Sequence, residues 1–113
     1  MLLLLKHLFQ GKKFNNLAYS EFDSKFKTAQ KPILIDVRSK SEYQRERIPN
    51  ALHIDINSPN FRKRIQYLRK KPCFVYCKSG MRSSKACHIM LDMEFENINN
   101  LKGGIRAWEG RTV

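Results

Sequence analysis

The chain has 113 residues, of which 42% are hydrophobic and 28% charged, a balance that is ordinary for one globular domain. No linker, internal repeat or low-complexity tract divides it, which argues against a second domain. Its three cysteines have neither the spacing of a disulfide framework nor that of a zinc motif, and its three histidines add no ligand pattern. We therefore expect no metal or other cofactor, and a reducing, cytoplasmic location.

The net charge of +12 comes from 22 Lys and Arg against 10 Asp and Glu. A field of this sign attracts small anions, acidic proteins and nucleic acids. The densest basic runs, at residues 62–64 and 69–71, lack the interleaved aromatic residues of nucleic-acid readers. We therefore expect a solvated basic surface and no specific nucleic-acid binding.

Four leucines at residues 2–5 form the most apolar run near the N-terminus. Lys6 and His7 interrupt it well short of the ~20 residues that span a membrane or the ~7–15 of a signal-sequence core. A short amphipathic stretch here could lie on a membrane surface, but packing on the domain or fraying is the more ordinary outcome. We expect residues 1–13 to form an N-terminal extension, residues 14–113 to form the domain, and no segment to be transmembrane.

Helical and extended patterns alternate along the chain. In the first half they predict a helix that opens at a capping box in residues 20–23, a buried strand at 32–37, a short helix after a capping box at 39–42 and a half-buried strand at 51–56. In the second half they predict a helix from 58, a strand at 72–76, a helix from about 83, a strand at 98–101 and a helical turn at 105–108. The alternation indicates an α/β fold, in which a mostly parallel sheet carries helices on both faces. In such sheets ligands bind beyond the carboxyl ends of strands, where Asp36 and Cys77 lie.

Cys77 stands where a predicted strand ends and a helix begins. Loop N–H groups and the positive end of the helix dipole can converge there on one sulfur and lower the thiol pKa, which is ~8.5 in free cysteine. Gly80 permits the tight turn that such a loop needs, and the hydroxyls of Ser79 and Ser83 can donate hydrogen bonds to the sulfur. Arg82 supplies a permanent positive charge for an anionic substrate group. The pattern predicts an activated cysteine at Cys77.

The other two cysteines fit a structural interpretation. Cys73 lies four residues before Cys77 in the same predicted strand, so their Cα atoms are ~13 Å apart and cannot be bridged by a disulfide. Cys87 falls on the apolar side of the following helix, where a core residue is expected rather than a second reactive thiol.

Three segments together resemble the single-domain rhodanese family, in the family's order and across residues 14–113. They are CKSGMRS at 77–83, IDVR at 35–38 followed by EY at 42–43 and IPNA at 48–51, and LKGGIRAW at 101–108. Family members commonly have glycine where this chain has Asn50, and Asn tolerates the left-handed backbone that glycine would supply. The resemblance implies a three-layer rhodanese-like fold with a central, mostly parallel sheet of five strands.

The resemblance also implies sulfur transfer through a persulfide on Cys77. A donor such as thiosulfate or a small persulfide would supply the sulfur, and cyanide, a thiol or an acidic protein would accept it. Arg82 would pair with the sulfonate end of the donor, while Asp36 and Arg38 match a buried pair that supports the strand end. The substrate-binding loop would consist of Lys78, Ser79, Gly80, Met81, Arg82 and Ser83.

Two other functions fit parts of the same pattern. A protein-interaction module could keep the fold and use its basic surface to bind an acidic partner, although an intact Cys77 argues for chemistry. A cysteine phosphatase or arsenate reductase also holds a thiolate in a ring of N–H groups, but those loops place five residues between Cys and Arg. This chain has four, residues 78–81, which suits a sulfur atom better than a tetrahedral oxyanion.

Overall fold

Five strands form one parallel sheet in the computed structural model, which describes residues 13–113. The strand order across the sheet is β1-β5-β4-β2-β3. This sheet confirms the predicted fold class, although the sequence pattern missed the short edge strand β1. The strands are β1 (Asn15–Leu17), β2 (Ile33–Asp36), β3 (Leu52–His53), β4 (Cys73–Tyr76) and β5 (Ile98–Leu101).

Within residues 13–113, four α-helices and one 3₁₀ turn connect the strands, and a second 3₁₀ turn follows β5. The helices are α1 (Tyr19–Thr28), α2 (Lys40–Arg45), α3 (Phe61–Ile65) and α4 (Met81–Asp92); the 3₁₀ turns are Gln66–Leu68 and Gly104–Ala107. Each element matches a predicted one to within a few residues at its ends, except that the turn at Gln66–Leu68 continues α3.

Alternation of side chains along β4 divides the core into two layers. Cys73, Val75 and, just beyond the strand, Cys77 face a cluster that includes α3 and α4. Phe74 and Tyr76 face a second cluster that includes α1. All five side chains are at most 1% exposed, so β4 is covered on both faces and the sheet is the middle of three layers.

The prediction for the start of α1 was wrong, whereas the one for α2 is confirmed. The chain leaves β1 at Leu17 and becomes helical after a single residue, so Ala18 is the N-cap and no side chain caps the helix. Ser20 already lies inside the first turn. For α2, the Ser39 hydroxyl accepts from the Glu42 N–H while the Glu42 carboxylate accepts from the Ser39 N–H, which is the predicted capping box.

The boundaries of β3 and α3 also differ from the prediction, and each difference has its own physical reason. The strand predicted at 51–56 pairs only over Leu52–His53, because the chain then turns while the N–H groups of Ile54 and Ile56 still bond the carbonyls of β2 and Val37. The helix predicted from Ser58 begins at Phe61, because the Ser58 carbonyl and hydroxyl instead close a turn before it.

The helix after Cys77 begins at Met81, two residues before the predicted start. The turn at Asn50 is kept as expected, since Asn50 adopts a left-handed backbone with φ of 68°. Residues 1–12 of the predicted N-terminal extension lie outside the described residues. Within residues 13–113, no helix has the length and apolar character that a membrane span requires, and no group of three or more His, Cys, Asp or Glu residues could hold a metal ion.

Candidate active site

Cys77 lies directly beyond the carboxyl end of β4, where the chain turns into α4. Its side chain is only 1% exposed and belongs to the core cluster on the α4 face of the sheet. The turn depends on Gly80, which is the N-cap of α4 and has φ of 106°, a conformation that favours glycine. The strand end and the helix start are therefore joined by a tight loop that folds over the sulfur.

Hydrogen-bond donors converge on the Cys77 sulfur from that loop. The Gly80 N–H donates to Sγ at 3.0 Å and the Ser83 hydroxyl at 3.3 Å. Burial acts to raise the pKa of Cys77, but the Ser83 hydroxyl and the backbone N–H groups of Ser83, Gly80 and Ser79 outweigh it, so the pKa lies below the ordinary thiol value. The arrangement stabilises a thiolate.

Ser79 contributes differently from the sequence expectation. The expected hydrogen bond from its hydroxyl to the sulfur is not among those found within residues 13–113, and its backbone N–H acts on the Cys77 pKa instead. The Lys78 side chain is exposed, and so is Met81, which is 81% exposed at the first position of α4. The hydrogen bonds to the sulfur from this loop thus come from the main chain and from Ser83.

The segment of residues 103–106, which begins with two glycines, hydrogen-bonds to the carbonyl groups of the Cys77 loop. The N–H groups of Ile105 and Arg106 donate to the carbonyls of Cys77 and Lys78 at 2.9 and 3.2 Å. In a trans peptide the C=O and N–H point in opposite directions, so binding the Lys78 carbonyl turns the Ser79 N–H the other way. A Cβ on Gly104 would lie 2.4 Å from the Lys78 carbonyl oxygen, so only glycine allows this approach.

Asp36 and Arg38 form a buried ion pair at the end of β2. Arg38 donates to the two Asp36 carboxylate oxygens through Nε and Nη2 at 2.8–3.1 Å, and the two side chains are 5% and 0% exposed. Tyr76 donates a further hydrogen bond to Asp36 Oδ2 at 2.7 Å and accepts one from the Ile48 N–H at 3.1 Å. These hydrogen bonds satisfy the buried Asp36 carboxylate. Since Tyr76 lies at the end of β4, its bond to Asp36 also joins the end of β2 to the end of β4.

Arg82 makes a contact that the sequence analysis did not anticipate. Its two Nη atoms donate to the two carboxylate oxygens of Glu42 at 2.7 and 2.9 Å. The hydrogen bonds from Arg82, against a smaller effect of burial and with help from Ser39, lower the pKa of Glu42 to about 2. The pair fixes the plane of the guanidinium beside the loop and leaves three of its five N–H donors unused by Glu42.

Two cavities flank the loop. One has a volume of about 230 Å³ and lies on the side of α2; among its lining residues are Arg38, Glu42, Arg45, Lys78 and Arg106. The other has a volume of about 410 Å³ and lies on the side of β5; among its lining residues are Ser79, Gly80, Met81, Asn100 and Lys102. Small molecules can therefore approach the loop from both sides.

Sequence reasoning missed Glu42, Tyr76 and Gly104 as parts of this site. Glu42 was identified as a capping residue and as part of the EY motif at 42–43 but not as the partner of Arg82, and its ion pair joins residues 40 positions apart. Tyr76 was predicted to be a buried strand residue, and its hydrogen bond to Asp36 also spans 40 positions. The spacing of these residues along the chain carries no local signal for either contact.

The five-stranded parallel sheet, with Cys77 in the loop after its central strand, is the architecture expected of a rhodanese-like protein. The family model of the rhodanese-like domain matches residues 19–111, and the chain belongs to this family. The match covers every element of the fold except β1.

Relatives and solved structures agree with this assignment. A putative sulfurtransferase, YtwF of Bacillus subtilis, is 38% identical over 80 residues, which are 70% of this chain and 75% of that protein. Thiosulfate sulfurtransferase GlpE of Coxiella burnetii is 31% identical over 81 residues, 68% of this chain and 71% of that protein. The crystal structure of a rhodanese-related protein from Thermoplasma volcanium superposes with a TM-score of 0.75 at 25% identity, covering 88% of this chain and 98% of that one. These similarities support the sulfurtransferase class.

Proposed function

We propose that this protein is a sulfurtransferase that carries sulfane sulfur as a persulfide on Cys77. The observation that carries the proposal is a buried sulfur that accepts hydrogen bonds from the Gly80 N–H and the Ser83 hydroxyl. Such bonds favour the thiolate, which is the nucleophilic form of cysteine. The sulfurtransferase names of several relatives support the same class of reaction.

The first half of the reaction loads the sulfur. The Cys77 thiolate attacks the outer sulfur of a donor such as thiosulfate, a new S–S bond forms, and the donor's own S–S bond breaks. Sulfite leaves with the electron pair of that bond, and the negative charge stays on the outer sulfur of the new persulfide. The loop N–H groups then stabilise this anion, as they stabilise the thiolate before it.

Arg82 binds the anionic end of the donor in this proposal. Glu42 occupies two of its N–H donors and so orients the guanidinium, while the others remain for a sulfonate group. Lys78 and Arg106 line the adjoining cavity of about 230 Å³ and add positive charge there. Asp36 and Arg38 act as support, because they hold the strand end and do not touch the sulfur.

The direct test is to treat the protein with thiosulfate and measure its mass. We expect one added sulfur on Cys77, its removal by cyanide with release of thiocyanate, and no addition to Cys77→Ser. Cys73→Ser is the matched control and should load normally, since Cys73 lies at the other end of β4. A wild-type protein that stays unmodified by thiosulfate and by small persulfides would refute the proposal.

The role of Arg82 has its own test. Arg82→Ala should weaken turnover of thiosulfate more than turnover of an uncharged polysulfide, because only the former offers a sulfonate to pair with. Arg62→Ala removes the same charge from an exposed site on α3 and serves as the control for net charge. Equal losses for the two donors would reject the pairing role.

A pure binding module or a cysteine phosphatase is less well supported. A binding module needs no ionised thiol, yet the donors around Cys77 lower its pKa. A phosphatase needs a group that can give a proton to the leaving oxygen. Glu42, the carboxylate bound to Arg82, has a pKa of about 2 and stays ionised at neutral pH. Hydrolysis of a phosphate ester that is lost in Cys77→Ser would reverse this ranking.

A further inference from the structure

The densest positive charge of the chain lies on α3 and the turns that follow it. Six of the ten residues from 62 to 71 are lysine or arginine, and no Asp or Glu occurs between Asp55 and Asp92. All six cations are exposed. None of them takes part in the ion pairs found within residues 13–113, so their charge is available to an external anion.

The fold turns the polar side of this segment towards the solvent. Phe61, Ile65 and Leu68 follow one another at intervals of four and three residues, and all three are buried in the core. The helical turn continues beyond them, since the N–H groups of Arg69 and Lys71 donate to carbonyls three residues earlier, at 3.3 and 2.9 Å. The residues between and after the core contacts form one exposed surface, which we call the 62–71 surface.

Tyr67 lies in the middle of the 62–71 surface and is 67% exposed. On a helix the neighbours of a residue are those three and four positions away. For Tyr67 all four of these neighbours are basic, namely Lys63, Arg64, Lys70 and Lys71. Neither basic run contains an aromatic residue by itself, but the helical turn places this exposed ring between the two runs.

The composition of the 62–71 surface distinguishes between the anionic partners that its charge would attract. An anionic membrane would need an apolar face that enters the interface, but the apolar residues of this segment are buried in the core. A protein interface has an apolar centre and charges at its rim, whereas here cations surround a single ring. A single-stranded nucleic acid offers phosphates to the cations and an unpaired base to the ring.

We propose that the 62–71 surface binds single-stranded RNA without sequence preference. The lysines and arginines contact successive phosphates, and an unpaired base of the kind that RNA loops and ends present stacks on Tyr67. At a rise of ~1.5–2.0 Å per residue the centres of the two basic runs are about 12 Å apart, which matches three or four nucleotides of a stacked strand at ~3.4 Å each. The expectation of no specific nucleic-acid binding concerned the readout of bases, and the proposal does not alter it.

The direct test measures the binding of a fluorescent oligo-uridine RNA by anisotropy over a series of salt concentrations. For the wild type we expect a Kd of about 10⁻⁴–10⁻⁶ M near physiological salt. The logarithm of the binding constant should fall with the logarithm of salt concentration with a slope of about −2 to −3, since each of three or four phosphate contacts contributes about 0.7. No binding even at ~0.01 M salt, where charges are screened least, would overturn the proposal.

Variants of Tyr67 separate stacking from charge. Tyr67→Ala should weaken RNA binding about 5- to 150-fold and leave the salt slope unchanged, because a stacked base releases no counterion. Tyr67→Phe keeps a flat ring and should bind like the wild type, whereas Tyr67→Leu keeps an apolar side chain without the ring and should bind like Tyr67→Ala. Equal affinities of the Phe and Leu variants would overturn the stacking contact and with it the proposal.

Single lysine variants test whether the phosphates lie on this surface. Lys63→Ala and Lys70→Ala remove one charge from each basic run, and each should make the salt slope less steep by about 0.7. Lys25→Ala is the matched control, since Lys25 is an exposed lysine of α1, which packs on the opposite face of the sheet from α3. If the control changed the slope as much, the RNA would follow the net charge of the whole protein, and the proposal would be overturned.

The competing partners are tested with the same proteins. Polyglutamate and vesicles that contain phosphatidylserine stand for an acidic protein and an anionic membrane, and we expect both to bind more weakly than the RNA and without dependence on Tyr67. If either bound more tightly than the RNA and lost affinity in Tyr67→Ala, the surface would belong to that partner and the proposal would be overturned.

The active site is tested separately, because the 62–71 surface does not include the Cys77 sulfur. Cys77→Ser should bind the RNA as tightly as the wild type does, and Tyr67→Ala should still load sulfur from thiosulfate. Loss of RNA binding in Cys77→Ser would place the RNA at the Cys77 loop and overturn the proposed surface. Failure of RNA binding in a protein that loads sulfur normally would overturn this inference and leave the proposed sulfurtransferase function intact.

Discussion

Cys73 and Cys77 lie at opposite ends of the β4 region and differ in ionisation, although both are at most 1% exposed. Burial raises the pKa of Cys73 to about 12, and its Sγ donates to the carbonyls of Leu68 and Lys71. The Cys77 sulfur instead accepts hydrogen bonds, and its pKa is lowered. Burial alone therefore does not determine the thiol pKa; the hydrogen-bonding groups around the sulfur do.

Chain direction explains the difference between the two ends. At the start of β4 the sulfur meets carbonyls of the turn that follows α3, which bind a protonated thiol. At the carboxyl end it meets the first N–H groups of α4, which helix geometry leaves without partners inside the helix. A parallel sheet whose strands feed into helices thus creates anion-stabilising sites at only one of its edges.

The largest effect should appear in alkylation of the folded protein. At pH 7 a thiol with a pKa of about 12 is ionised to only about 10⁻⁵, so iodoacetamide should modify Cys77 at least about a thousandfold faster than Cys73. The Cys77 rate should rise with pH and level off below the ordinary thiol pKa, because only the thiolate reacts. Peptide mass spectrometry over a pH series measures both rates, with Cys77→Ser as the blank. If the alkylation rate of Cys77 still rose beyond pH ~8.5, as it does for free cysteine, the claim that the loop lowers the Cys77 pKa would be contradicted.

Gly104→Ala should remove much of this difference between the two thiols. The new methyl group would lie 2.4–2.5 Å from the carbonyl oxygens of Lys78 and Cys77, and the φ of 64° is already unfavourable for alanine. The loop must shift, so we expect the Cys77 pKa to rise by about one unit or more, equal to about 1.4 kcal/mol, and the free energy of unfolding to fall by about 1–3 kcal/mol.

The matched variant is Gly110→Ala, whose methyl group would contact the Trp108 ring at 2.8 Å, among side chains rather than loop carbonyls. It should lower stability while leaving the Cys77 pKa unchanged. Thiol titration by absorbance at the thiolate band and urea unfolding measure the two quantities. If Gly104→Ala kept the wild-type thiol pKa, the backing of the loop by residues 103–106 would not matter for ionisation.

Ser83→Ala should have a smaller effect in the same direction. It removes one donor to Sγ, at 3.3 Å, and leaves the backbone N–H groups in place. A single hydrogen bond contributes about 0.5–1.5 kcal/mol, so the Cys77 pKa should rise by about half a unit to one unit. Ser84→Ala changes the next residue of α4, which makes no bond to the sulfur, and should leave the pKa where it is. Equal shifts in the two variants would point to a general change in the helix.

The order of effects also explains how much could be predicted from the sequence. Cys77, the turn at Gly80 and the donor Ser83 all lie within seven residues. The periodicity of the flanking strand and helix was therefore enough to predict that they belong to one loop. Asp36 and Arg38 are two positions apart, and their pairing is also local. The fold class followed from the alternation of strands and helices, which local patterns record well.

Contacts between distant segments were not predictable in the same way. Glu42 and Arg82 meet because α2 and α4 begin at the same edge of the sheet, and Asn100 bonds Asn16 of β1 through Nδ2 while its Oδ1 has no partner within residues 13–113. Neither fact has a signature in residue spacing. The start of α1 was misjudged for a related reason: the unpredicted strand β1 forces the helix to begin at once, without a side-chain cap.

The smallest effect concerns the ion pair between Glu42 and Arg82, which stands beside the loop without touching the sulfur. The pKa of Glu42 is lowered to about 2, so the stabilisation from the pair is complete above the ordinary carboxyl pKa, about 4.5, and is lost as pH falls from there towards 2. Because the Arg82 side chain is 34% exposed and that of Glu42 is 22% exposed, solvent screening limits the contribution to less than about 1 kcal/mol.

Glu42→Gln should therefore lower the free energy of unfolding slightly at pH 7, and the difference from wild type should shrink as the pH approaches 2. Urea unfolding at a series of pH values measures it, with Glu109→Gln, an exposed carboxylate near the C-terminus, as the control for charge. The Cys77 pKa should change less in Glu42→Gln than in Ser83→Ala, because Ser83 donates a hydrogen bond to the sulfur and Glu42 bonds Arg82 instead. A larger change in Glu42→Gln would mean that the ion pair, rather than the loop N–H groups, governs the difference between the two ends of β4.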